Sequence, residues 1–323
     1  MKKRVCSVSL LALATVTAMA AIAAQHAPSA GIRTVATGSA PNAAALPAKK
    51  LTAPPDGKTF LHIPGSSQAY TLTQTQSIFV APDWWPQDHP PMPQIVAYGR
   101  GDAWPCAHCH LPTGLGRPED AATAGLPLAY IREQIRAFRD GERASPIMHE
   151  ELSHVSDADL ELAARYFSSL RFTPWTRVIE VARVPKTHPE SYGLAPTRGA
   201  GHEPIGNRII LVPANPELTR LGDTRSGYIA YVPRGSIERG AVIAAKGTGV
   251  AQPCEVCHGA DLRGAGTIPP LAGRMPNYIV RELVRFQTGG RANAGAAPMR
   301  LEASHLTLRD MIAVAAYAAS RKP

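Results

Sequence analysis

Aromatic residues are scarce in this chain: Phe, Trp and Tyr together make up 6% of 323 residues, few for a chain whose cores must exclude water. That shortage implies that something other than Phe and Trp, such as a large prosthetic group, fills part of the interior. Charge is sparse too, at 18%, and the basic residues are spread along the chain instead of gathered in a stripe, which argues against a nucleic-acid surface. No Ser/His/Asp arrangement and no glycine-rich phosphate loop stands out. Beyond residue 24 there is no run of ~18 apolar residues, so no membrane span is expected once the leading segment is removed. Cysteine is rare as well, five in all, and Cys6 lies inside that leading segment.

What is abundant is glycine and proline, 27 and 30 residues, on a 45% hydrophobic background. This composition fits loop-rich globular domains, about two at ~100–200 residues each. Met1-Lys2-Lys3-Arg4 followed by the Ala-rich apolar run Val5 to Ala24 has the form of a secretory signal, with cleavage expected near Ala23 to Gln25. The expected location is therefore periplasmic. Losing Lys2, Lys3 and Arg4 lowers the formal charge from +9 to +6, so the mature chain stays basic.

Four cysteines remain, and in an exported protein an even count ordinarily reads as disulfides. Their spacing argues otherwise. Cys106-Ala107-His108-Cys109-His110 and Cys254-Glu255-Val256-Cys257-His258 are two copies of C-x-x-C-H, the attachment signal of c-type haem. Thiols at i and i+3 on one helical turn reach both vinyl groups of a porphyrin, and the adjacent histidine places an imidazole beneath the iron. Two covalently bound haem c groups are expected, with Cys106, Cys109, Cys254 and Cys257 as attachment points and His110 and His258 as proximal ligands. A redox dithiol or half a zinc site is the competing reading of a lone Cys-x-x-Cys; two copies, each followed by His, make it remote.

The motifs belong to a duplication. At a spacing of 148 residues, Gly116, Gly125, Tyr130, Ile131, Phe138, Gly141 and Arg143 correspond to Gly264, Gly273, Tyr278, Ile279, Phe286, Gly289 and Arg291. After a three-residue insertion, Met148, Ser153, His154, Asp159 and Tyr166 correspond to Met299, Ser304, His305, Asp310 and Tyr317. Each half reads as a cysteine-bearing turn, a helix from about Leu128 or Asn277, a loop carrying Met, and a closing helix opened by Ser156-x-x-Asp159 or Thr307-x-x-Asp310. The expected fold is mainly α: two helical haem domains in tandem, 95–172 and 240–323, with a short-stranded β-rich insert at 173–239. Within the insert, Arg177 to Val184, Arg208 to Val212 and Gly227 to Val232 are the strand candidates. Residues 25–57 read as a flexible leader, and 58–94 as an N-terminal extension packing on the first haem domain. In that extension the alternation from Thr59 to Val80 is strand-like, and Trp84-Trp85 reads either as a docking patch or as packing.

These residues resemble class I c-type cytochromes, specifically dihaem chains of the cytochrome c4-like kind: C-x-x-C-H, Tyr-Ile, Phe-x-x-Gly-x-Arg, Met, and a terminal helix. The resemblance implies helices wrapped about the haem and a role in electron transfer. It also implies that a carbonyl of the Pro270-Leu271-Ala272-Gly273 segment accepts from the proximal imidazole; the first half offers only Ala124-Gly125 there. Met148 and Met299 stand where this family usually has its sixth ligand. The aligned His154 and His305, and locally His149, compete for that place, whereas Met92, Met275 and Met311 have no aligned counterpart. Arg143 and Arg291 offer local positive charge for docking or partners for haem propionates.

Single-electron transfer between a periplasmic dehydrogenase or other donor and a respiratory acceptor, such as a terminal oxidase or another cytochrome, is the leading function. It involves no bond chemistry on a substrate. The alternative is a dihaem enzyme such as a cytochrome c peroxidase, which needs one exchangeable haem ligand; two aligned methionines argue against it. Thiosulfate dehydrogenase-like dihaem enzymes commonly use a distal cysteine, and none is left unassigned. A sensor would need an output domain, and none is visible.

Overall fold

The computed structural model describes residues 57–190 and 193–323. The expected signal 1–24 and all but the last residue of the leader 25–57 lie outside the described residues. The extension begins with two short antiparallel strands, β1 (Phe60–Leu61) and β2 (Tyr70–Thr71), and turns at once into α1 (Leu72–Gln76). The strand expected through Val80 is therefore interrupted. Thr71 explains why: its side chain accepts from the Gln74 N–H at 3.2 Å, while the Gln74 side chain accepts from the Thr71 N–H at 2.8 Å. This reciprocal capping satisfies two backbone donors of a first helical turn, and the chain follows the helix.

Trp84 and Trp85 are both buried, which removes them from any docking surface. The Trp84 indole donates to the Leu221 carbonyl at 2.7 Å, and the Trp85 indole donates to Asp223 Oδ1 at 2.6 Å beneath the Arg225 guanidinium. The tryptophans thus clamp the extension to the inserted segment, while Ala81 and Met92 join the core of the first module.

That module comprises α2 (Gln94–Ala97), α3 (Cys106–His110), α4 (Leu128–Arg139), α5 (Pro146–Ser153) and α6 (Asp157–Ser169). Along α4 the buried Ile131 and Phe138, two helical turns apart, share one apolar cluster with Leu160, Ala163, Ala164 and Phe167 of the closing helix. The methionine segment, expected as a loop, is the short helix α5: Pro146 fixes the first turn and Ser145 caps it, its side chain accepting from the Met148 N–H.

The insert contains β3 (Thr176–Val181), β4 (Arg183–Pro185), β5 (Thr187–Glu190), β6 (Gly193–Pro196), β7 (His202–Pro204), β8 (Ile210–Pro213), α7 (Pro216–Arg220) and β9 (Tyr228–Pro233). β9 lies between β3, to which it is parallel, and β8, to which it is antiparallel; β4 pairs with β7 and β5 with β6. A parallel β3–β9 pair requires a long crossover, which the intervening strands and α7 provide.

The second module comprises α8 (Ser236–Lys246), α9 (Cys254–His258), α10 (Pro276–Thr288), α11 (Ala297–Ser304) and α12 (Leu308–Ser320). Its first helix starts four residues ahead of the expected boundary at 240. Helix α12 is buried continuously from Asp310 to Ala319, and its many alanines let α8 come close. At that crossing a Cβ on Gly240 would stand 2.1 Å from the Ala313 carbonyl oxygen, so glycine is required there.

The modules join through aligned residues. Arg143 and Arg291 face each other in a single antiparallel bridge flanked by Ala144 N–H to Gly290 O at 2.8 Å and Ala292 N–H to Glu142 O at 2.7 Å. The Arg143 guanidinium donates to Gln134, Tyr278 and Glu282, and the Arg291 guanidinium to Glu282, Tyr130 and Gln134. Because Gln134 and Glu282 correspond at the 148-residue spacing, as do Tyr130 and Tyr278, the network has an approximate two-fold symmetry with one carboxylate for two buried cations.

Candidate functional site

Each C-x-x-C-H sequence forms one isolated helical turn, α3 or α9, introduced by Pro105 or Pro253, which presets the backbone before the first cysteine. The chain then leaves the turn through a left-handed residue, Leu111 at φ 65° or Gly259 at φ 76°. Burial pushes the Cys106 and Cys109 thiols up to about 12 and the Cys254 thiol up to about 11. These are neutral thiols, the reverse of the lowered values that mark a nucleophilic redox dithiol. No disulfide joins them.

The two histidines are held identically. The His110 Nδ1–H donates to the Ala121 carbonyl at 2.9 Å, and the His258 Nδ1–H donates to the Pro269 carbonyl at 2.9 Å. A carbonyl only accepts, so Nδ1 carries the proton and the Nε2 lone pair is left for a metal. Burial lowers the His258 pKa, which favours the neutral, ligating ring. Sequence reasoning missed the acceptor in the first module and placed the second within 270–273, one residue too late. Both acceptors lie eleven residues after the histidine. The aligned glycines explain the close approach: a Cβ on Gly116, at φ 71°, would be 2.6 Å from the Ala121 oxygen, and one on Gly264, at φ 86°, 2.9 Å from the Ile268 oxygen and the Pro270 nitrogen. Gly116 N–H and Gly264 N–H also donate to the carbonyls of His110 and His258, closing each loop back on its own histidine.

Met148 and Met299 are half-buried on α5 and α11. Met148 packs against the same apolar cluster as Cys106 and Phe167, and Met299 against the same cluster as Cys254 and Leu271. The competing histidines lie elsewhere. His154 and His305 are the exposed C-caps of α5 and α11, and His154 Nε2 engages Glu150 Oε1 at 3.0 Å. His149 is exposed, and its Nδ1–H donates to the Phe138 carbonyl at 3.0 Å.

Arg143 and Arg291, at 4% and 5% exposure, are not surface charges. Their terminal nitrogens are occupied across the module interface, and the Nε–H of each is buried with no partner among the described residues. Paired orphan donors at symmetric positions, one in each module, are what the carboxylates of a porphyrin would satisfy, so the donor set fits one such group per module. Among the described residues no group of three or more His, Cys, Asp and Glu side chains forms a separate metal site. No helix among them is long and apolar enough to cross a membrane.

Over 223 residues the chain is 26% identical to the thiosulfate dehydrogenase electron acceptor of Thiomonas intermedia (strain K12), spanning 68% of this chain and 80% of that protein. Over 224 residues it is 25% identical to cytochrome c4 of Pseudomonas aeruginosa, spanning 69% of this chain and 86% of that one. The chain is a cytochrome c4-like protein. The likeness to these cytochromes and the paired C-x-x-C-H turns together support covalently bound haem c and electron transfer. Reduced recombinant cytochrome c4 from Pseudomonas stutzeri is also similar, with a TM-score of 0.47 and 21% identity over 67% of this chain and 93% of that chain. No protein-family model matches the cytochrome c4-like chain.

Proposed function

We propose that this protein is an exported, periplasmic dihaem cytochrome that accepts single electrons from a dehydrogenase and passes them to a respiratory acceptor. Given its likeness to a thiosulfate dehydrogenase electron acceptor, the proposed donor is a thiosulfate-oxidising dehydrogenase. Cys106 and Cys109 hold one haem and Cys254 and Cys257 the other; His110 and His258 are the proximal ligands, and Met148 and Met299 the sixth ligands. The iron supplies the redox couple, one electron in and one out, with no substrate bond made or broken.

The observation that carries this reading is the paired Nδ1–H to carbonyl hydrogen bond, which fixes the same tautomer in both modules. The thiols anchor, the imidazoles orient, and the apolar clusters around Met148 and Met299 exclude water, so the chain's task is to hold two redox centres in fixed surroundings. The membership of each methionine in the cluster that contains the first cysteine of its module supports thioether ligation over the exposed histidines.

The test is a haem count followed by two substitutions. Haem that resists acid–acetone extraction, at two per chain, is expected; one per chain, or extractable haem, defeats the reading. Met148→Ala and Met299→Ala should each convert one haem to a high-spin, ligand-binding form, and unchanged spectra in both would move the sixth ligand to another residue. Rapid-mixing reduction by a thiosulfate dehydrogenase should slow severalfold as salt is raised through the screening range, because association is steered by charge.

A further inference from the structure

Arg274 stands where the modules differ. The 148-residue spacing pairs it with Leu126, so the second module alone supplies a cation at this position. It is 6% exposed, and its guanidinium carbon lies 4.4 Å from the centroid of the Phe172 ring. Its Nε donates to the Pro270 carbonyl at 2.8 Å, one residue beyond the acceptor of the His258 hydrogen bond. Its terminal nitrogens cross to the other module, one donating to Ala122 O and one to Ala124 O at 2.9 Å, just beyond the acceptor of the His110 hydrogen bond. One planar fork therefore grips the proximal loops of both modules.

The charge on that fork is uncompensated locally. Among the described residues Arg274 makes no ion pair, and its hydrogen-bond acceptors are all backbone carbonyls. Burial lowers its pKa, to about 10, but leaves it protonated at neutral pH. A fixed cation in a poorly screened interior opposes a further positive charge nearby, and ferric iron carries one more than ferrous iron.

We propose that Arg274 is a positioning residue shared by both haem sites, whose single buried charge, held between the two proximal loops, raises both reduction potentials together. This rests on the reading that each module holds haem. A lysine would keep the charge but not span three carbonyls in two loops, and a glutamine would lose both charge and fork.

Spectroelectrochemical titration of the full holoprotein tests it, with haem content and visible spectra recorded for every variant. Both potentials should fall in the order parent, Arg274→Lys, Arg274→Gln. The neutral control Asn277→Ala removes another bond across the same seam, Nδ2 to the Pro118 carbonyl at 2.7 Å, and should leave both potentials in place. The proposal is overturned if Arg274→Gln matches the parent, if one potential falls alone, or if Asn277→Ala produces the same shift. Should the glutamine variant not fold with its haems, Arg274→Lys must still lower both potentials relative to Asn277→Ala, and failure to do so overturns the proposal. A parent protein with fewer than two haems defeats the dihaem reading itself, a result separable from any change in potential.

Discussion

In the first module the chain leaves its attachment turn through Leu111 at φ 65°, and in the second through Gly259 at φ 76°. Leucine adopts this conformation only at a cost of about 1–3 kcal/mol, and Leu111 is fully enclosed, so packing against its surroundings holds the strained backbone in place. The same asymmetry recurs along the turn. His108 is buried and its ring nitrogen Nδ1 meets the Val80 carbonyl of the extension at 3.0 Å, whereas the corresponding Val256 is 71% exposed. Cys109 is half-buried and Cys257 exposed. The extension covers the first attachment turn and leaves the second facing solvent, so two copies of one motif have acquired unequal access.

At the interface the copies differ by one charge. Glu282 accepts from Arg143 at 2.7 Å and from Arg291 at 3.0 Å, while its counterpart Gln134 is neutral. Glu282→Gln would leave two buried guanidiniums without a counter-charge, a change that costs about 3–5 kcal/mol. A thermal melt should fall by on the order of 10 °C. The sharper form of the test moves the carboxylate: adding Gln134→Glu to Glu282→Gln returns one acid to the same pair of arginines from the other module and should recover most of the loss. A double variant as unstable as the single one would show that the two sides of the interface are not equivalent.

The same carboxylate sets an acid limit. Burial alone would raise the pKa of Glu282, but the guanidiniums of Arg143 and Arg291, with Arg281 and Arg285 beyond them, bring it down to about 2. A depressed carboxylate pKa contributes stability that is fully present above the unfolded value, near 4.5, and is lost as pH falls through about 2. Stability should therefore drop by about 3 kcal/mol across that window. Glu282→Gln should flatten this part of the profile, and a parallel slope in the variant would assign the acid sensitivity to other carboxylates.

How much of this arrangement could be read from the sequence depended on what each feature is made of. The attachment turns were legible because cysteine and histidine carry the chemistry in their side chains, and the duplication because it repeats side chains at constant spacing. The acceptors for His110 and His258 are backbone carbonyls, which any residue supplies, so only the flanking glycines Gly116 and Gly264 betrayed them. The parallel pairing of β3 with β9 joins segments some fifty residues apart, and strand propensity says nothing about partners at that distance. The docking role read for Arg143 and Arg291 was misplaced for a similar reason. An arginine in a haem module reads as a surface charge until the fold buries it against its aligned twin.

The clamp on the extension gives the next largest effect. Asp223 is buried and accepts from the Trp85 indole at 2.6 Å and from the Arg225 N–H at 2.9 Å. Trp85→Phe keeps an aromatic ring but removes one donor from a buried carboxylate, at a cost of about 2 kcal/mol. If the clamp shields the first attachment turn, amide exchange should quicken around His108 and remain unchanged around Val256. Equal acceleration in both modules would mean that the clamp stabilises the whole molecule and not the cover on one haem site.

The smallest difference lies at the start of the closing helices. Ser156 caps α6 by accepting from the Asp159 N–H at 3.2 Å, and its hydroxyl donates to Asp159 Oδ2. Thr307 caps α12 in the same way at 3.2 Å, and there Asp310 Oδ2 also accepts from the Thr307 N–H at 3.1 Å, closing a reciprocal box that the first module lacks. Removing either hydroxyl strips one orphan donor of its acceptor, worth about 1 kcal/mol. In both variants the aspartate also loses the hydroxyl, but in Thr307→Ala the Asp310 carboxylate keeps its bond to the residue-307 backbone N–H, so the remaining half of the box holds the acid in place and the cost should lie toward the lower end of the range. Urea titrations of Ser156→Ala and Thr307→Ala should therefore give midpoints below the parent in both, with Ser156→Ala the lower. Equal midpoints would mean that the reciprocal contact adds nothing to the simple cap, and that the second module's closing helix is held by its buried alanine face alone.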